Sequence, residues 1–169
     1  ETTFNTLDSQ KGSVSVKTMM STLRHHKDSQ FDPRHGINDQ DVCMHAGFGP
    51  IRISQSTASL VVHMEKSNPI LFATGTSAPC TGLFKPFWLD CAAFLNEEPV
   101  PSHQADANSL YWSHERLHRA VLENYHDRLA AYAPERDDME KRFITGALKL
   151  QNASVKERAA FSQQCYAEA

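Results

Sequence analysis

The sequence predicts an α+β fold, an antiparallel sheet packed with helices. Three observations carry this. From Ser54 the residues alternate: Ala58, Leu60, Val62 and Met64 fall on one face, Thr57, Ser59, Val61 and His63 on the other. That two-residue period marks a half-buried strand. The polar stretch Glu65 to Pro69 is short enough to turn a hairpin into a return strand, Ile70 to Thr76. Beyond Asn108 the apolar residues recur at helical spacing. Helix, then strands, then several helices is the order of an α+β chain.

The elements follow in order within one domain. Residues 1–12 are polar and read as a linker or lead-in. Residues 13–95 read as helix plus sheet, and 103–169 as the helical part. Ser15 suits a helix cap, and Val16, Met19, Met20 and Leu23 share one face of the helix behind it. Arg24, His25, His26 and Lys27 sit at its end, where positive charge suits the dipole. Lys27 to Gln40 is loop, punctuated by Pro33 and Gly36. Val42 to Ala46 is a short run expected to pair beside the hairpin. Ser77 to Gly82 is rich in turn residues. Leu83 to Leu89, dense in aromatics and interrupted by Pro86, is expected to lie against the sheet. Asn96 to Ser102 reads as an extended connection.

The longest helix opens at Asn108 or Ser109. Leu110, Tyr111, Leu117, Val121, Tyr125, Leu129 and Tyr132 form its stripe. Pro134 is expected to stop it and to begin the next helix, whose first turn is acidic. Met139, Phe143, Ala147 and Leu150 make the second stripe. Ser154 and Glu157 form a capping box for a final helix.

A length of 169 residues suits one domain with a real core. The net charge of −3 argues against a nucleic-acid partner. No apolar run reaches the ~18 residues of a membrane span, and no signal peptide is visible. Cys43, Cys80, Cys91 and Cys165 show no CxxC spacing and read as buried thiols. A reducing, cytoplasmic setting fits them. The first residue is Glu1, so a processed chain or part of a longer polypeptide is expected.

Several residues are candidates for chemistry. His114-Glu115-Arg116-Leu117-His118 is HExxH on a predicted helix, the pattern of a zinc peptidase. The opposing reading is packing histidines in the stripe of Leu110, Leu117 and Val121, with Glu115 and Arg119 as a surface pair. His25, His26 and His35 suggest a metal set, but the spacing is irregular and no Cys or carboxylate completes it. No metal or other cofactor is therefore expected. Cys43 and His45 share a strand face and are the chain's own candidate catalytic pair. Arg52 is a candidate for a substrate carboxylate, and Thr57, Ser59 and His63 form a polar face able to orient substrate. Gly47, Gly49 and Gly75 allow close backbone approach.

Six segments in order then carry a resemblance. They are Lys17-Thr18-Met19-Met20 with Leu23-Arg24; Val42-Cys43-Met44-His45; Ser56 to Val61; Phe72 to Thr76; Phe84-Lys85-Pro86-Phe87; and Leu110-Tyr111-Trp112 with His114-Glu115 and Leu117-His118-Arg119. Together they resemble the secernins and related cysteine dipeptidases of the N-terminal-nucleophile hydrolase superfamily, from about Val16 to Arg119. In that family the HExxH-like run is a recurring helix segment, not a zinc site. The resemblance implies an αββα sandwich and hydrolysis of a small peptide or amide. It implies a nucleophilic cysteine exposed at the N-terminus, with its own α-amine as base.

This chain matches only the C-terminal part of such a protein and has no cysteine near its start. Alone, it is expected to be inactive. Its expected partners are the missing N-terminal half of the same protein and a small peptide or amide substrate. In isolation it is expected to self-associate as a homo-oligomer. Two other functions stand beside this one: a non-enzymatic secernin-like role through secretion-related partners, and the zinc peptidase.

Overall fold

The computed structural model describes residues 2–27, 30–35, 41–47, 51–65, 67–96 and 100–169. Within them the chain is α+β. Helix α1 (Thr2–Ser9) and helix α2 (Val16–Leu23) precede strands β1 (Leu60–His63), β2 (Ile70–Ala73) and β3 (Lys85–Phe87). A 3-10 segment (Leu89–Asn96) leads on to helices α3 (Leu110–Leu122), α4 (Tyr125–Lys149) and α5 (Val155–Glu168). The sheet is antiparallel in the order β1-β2-β3. Val61 pairs with Phe72 and Phe72 with Pro86; Val62 pairs with Leu71 and Leu71 with Phe87.

The core lies on one side of this sheet. Val61, Ile70, Phe72, Phe84 and Trp88 meet Val16 and Met20 of α2 and Ala147 of α4, with Phe161 of α5 packed against them. The opposite face is uncovered at β1, where Leu60 and Val62 are exposed. The alternation from Ser54 is thus legible, but the strand proper is four residues long. Ala58 takes a φ of +52°, which breaks the extended run before it. Thr57 still bridges to Ser77.

Ser15 and Thr18 form a capping box on α2, and Ser154 and Glu157 form the expected one on α5. Between β1 and β2, Asn68 takes a φ of +56°. Four expectations are corrected. Residues 2–9 form a helix, although none of its residues is buried. Val42 to Ala46 forms no strand; its neighbour Gly47 makes a single bridge to Arg52. The third strand is instead β3, where Pro86 is tolerated because β3 is an edge. Pro134 does not stop a helix but lies inside α4. The break falls earlier, at Glu123–Asn124, so the long predicted stripe is divided between α3 and α4.

Gly36, Gly49 and residues 97–99 of the expected extended connection lie outside the described residues. Among the described residues no helix is long and apolar enough to cross a membrane.

Candidate functional site

Three loops converge beside α4. Arg24, just past α2, starts the convergence. Its guanidinium donates to the Glu140 carboxylate at 2.7 Å through Nη1, to the Pro79 carbonyl at 2.8 Å and to the Gly82 carbonyl at 2.9 Å. Glu140 also accepts from the Phe84 backbone N–H at 2.8 Å. This ion pair fastens the turn 78–82 to α2 and α4. Arg136 donates to the Cys80 carbonyl and Tyr132 to the Thr81 carbonyl, so α4 grips the same turn twice more.

The loop 41–47 is held from both sides. The Cys43 N–H donates to the His25 carbonyl at 3.3 Å. The Met44 N–H donates to Ser56 Oγ at 3.0 Å, and the Ser56 N–H returns a bond to the Met44 carbonyl at 2.9 Å.

These fastenings bring His26, Cys43, His45 and Cys80 together. His45 Nε2 lies 3.2 Å from His26 Nε2, 3.5 Å from Cys43 Sγ and 3.3 Å from Cys80 Sγ. The four donor atoms all lie within 4.8 Å of one another. Cys43 and His45 have no solvent exposure, Cys80 has 4 %, and His26 is half-buried. Both cysteines are thiols rather than a disulfide. The neighbouring Cys43 thiol holds the Cys80 thiol well below its ordinary value; His26 and His45 act the same way, and burial opposes them.

Aromatic rings wall the cluster. Phe31 stacks on His26 at 4.0 Å between centroids, and His118 stacks on His45 at 5.7 Å. The Tyr125 hydroxyl lies 3.5 Å from His26 Nδ1. Burial, reinforced by Cys80, raises the phenol's pKa, so it stays protonated.

The candidates named from the sequence divide sharply. Cys43 and His45 do meet, but neither has any exposed surface. Arg52 is buried, donates to the Pro33 carbonyl and lies against Gly47, where an added Cβ would meet its Nη2 at 2.7 Å. The Gly47 approach is therefore to a side chain; at Gly75 an added Cβ would meet nothing within 4 Å. Thr57 is exposed, Ser59 half-buried, and His63 pairs with Glu65 at 3.2 Å.

In the HExxH run His118 is committed to the protein. Its Nδ1 bonds Thr81 Oγ1 and its Nε2 bonds Gln55 Nε2, each at 2.9 Å. Glu115 pairs with Arg119 at 2.8 Å. Neither nitrogen of His118 is left to share a zinc with His114. His25 and His35 do not join His26: His25 contributes only its carbonyl, and His35 sits on Asp32 at 3.1 Å.

Sequence reasoning missed the link of His26 and Cys80 to Cys43 and His45. The four come from three loops separated by 17 and 35 residues, and only the Cys-x-His pair leaves a local signal.

No family model matches the chain, and neither does any curated protein or solved structure.

Proposed function

We propose that this chain is the nucleophile-free half of a layered amide hydrolase, of the kind its segments resemble in the secernins and cysteine dipeptidases. The observation that supports this most is the two-faced sheet. Helices α2, α4 and α5 cover one face, while on the other Leu60 is 50 % and Val62 40 % exposed at β1, beside a buried Leu71 of β2. Met64, directly after β1, is exposed as well. An αββα sandwich needs such a face to receive its second sheet, because two sheets packed face to face bury alternate apolar residues of both.

The division of labour follows from the buried thiols. Cys43 and Cys80 are buried, and the reading assigns the attacking thiolate to the opposite layer. There a cysteine at a chain start gives its proton to its own α-amine and attacks the amide carbonyl. Backbone donors then stabilise the oxyanion. This half completes the sandwich and walls the pocket, with the exposed Thr57 and half-buried Ser59 as candidates to orient a small peptide or amide.

The test is co-expression with the polypeptide encoded upstream in the same reading frame. A 1:1 complex is expected on gel filtration, and Val62→Lys is expected to prevent it. Independent migration of the two pieces rejects the reading. A complex without hydrolysis favours the non-catalytic, partner-based role instead.

A further inference from the structure

We infer that His26, Cys43, His45 and Cys80 form a closed tetrahedral zinc centre that ties the three loops together. The inference rests on the geometry of this cluster and not on the hydrolase reading.

The three edges that meet at His45 carry it, with the remaining edges all within 4.8 Å. Zinc bound to imidazole at about 2.0–2.1 Å and to thiolate at about 2.3 Å, in tetrahedral geometry, sets N–N edges of roughly 3.3 Å and N–S edges of roughly 3.6 Å. The His26–His45 edge is 3.2 Å, and the edges from His45 to Cys43 and Cys80 are 3.5 and 3.3 Å. Ordinary hydrogen bonding does not explain three such neighbours. One imidazole nitrogen offers either a single proton or a single lone pair. Here three polar atoms surround the same nitrogen. A shared cation at the middle satisfies all four donors at once.

The ligand set selects the metal. Two thiolates and two imidazoles in a tetrahedron suit zinc, whereas oxygen-rich sets suit magnesium or calcium. All four positions come from protein, and three of the ligands are buried. A closed site of this kind is structural, because a catalytic zinc keeps one position for water. The surroundings of His26 fit as well. Metal-bound histidines place their second nitrogen on a partner, and Tyr125 stands 3.5 Å from His26 Nδ1. His118, stacked on His45 and fixed by Thr81 and Gln55, backs the other ring. The histidines of HExxH thus support the centre from outside rather than form it.

Metal analysis of the full chain, purified under reducing conditions from zinc-supplemented medium, tests this. One zinc per chain is expected. Cobalt exchanged for zinc should show the visible bands of a tetrahedral ion and a thiolate-to-metal charge-transfer band. Cys80→Ser should lose the charge-transfer intensity of one thiolate, while Cys165→Ser, buried in a different cluster, should leave both spectrum and stoichiometry unchanged. Tyr125→Phe should weaken cobalt binding by about 10-fold. If Cys80→Ser fails to fold, the cobalt spectrum of the unmutated chain decides alone. Folded, reduced protein that binds neither metal overturns the inference. So does a cobalt complex without thiolate charge transfer, or a Cys43–Cys80 disulfide in place of a metal.

Discussion

Glu140 is a single carboxylate with three jobs. It neutralises Arg24, accepts from the Phe84 N–H and, through Arg24, holds the turn that carries Cys80. Removing one partner of a buried pair leaves an uncompensated charge and costs about 3–5 kcal/mol. Glu140→Ala should therefore lower stability by that amount in a urea melt; a change near zero would show the pair to be dispensable. His114 shows the opposite problem, a base kept neutral. Burial, with the Lys85 charge adding to it, pushes its imidazole down from 6.5 to about 4. Between those values the unfolded chain binds a proton that the folded chain refuses. Stability is then complete above about pH 6.5 and falls as the pH drops toward 4, by at most roughly 3 kcal/mol. His114→Gln should flatten that part of the stability–pH curve. An unchanged slope would assign the effect to other groups. Neither residue declares its role in the sequence, because each depends on neighbours far away in the chain.

Among the elements, α4 departs furthest from what local chemistry suggests. Pro134 lacks an N–H and crowds the preceding turn, so a helix usually ends near such a residue. Here the helix continues because its two halves are anchored separately: Tyr125 and Tyr132 before the proline, Arg136, Glu140, Phe143 and Ala147 after it. Tertiary contacts override the local preference. Pro134→Ala should restore the missing helical bond and raise stability by about 1–2 kcal/mol, less than the full proline penalty because the unfolded chain also becomes freer. A loss on thermal melting would mean that the proline fits its place. The cap at Ser15 was legible from its residue type and that at Ser154 from a capping box written within four residues, while the Thr18 half of the Ser15 box was not. The hairpin was legible from a similarly local pattern. The third strand was not, since Lys85–Phe87 has no alternation long enough to count and carries a proline. The shortening of β1 was hidden as well, because alanine gives no sign that it will take a positive φ at position 58.

At the scale of the whole molecule, the α+β class was legible, while the centre that gathers its loops was not. Cys43 and His45 could be paired from their spacing, but His26 and Cys80 reach them only through the folds at Arg24 and the turn 78–82. The open face of the sheet also belongs to this scale. Leu60 and Val62 lie in β1, which among the described residues is an edge strand, a combination that invites contact with another sheet. The isolated chain should therefore self-associate in sedimentation velocity, and Val62→Lys should return it to monomer without lowering its melting temperature. A monodisperse monomer before any substitution would remove the reason to assign a second layer. The most direct test of the functional reading is dipeptide hydrolysis, measured for this chain alone and in complex with the upstream polypeptide. The expected result is no turnover by the chain alone and turnover by the complex. Hydrolysis by the chain alone, abolished by Cys43→Ser, would contradict it.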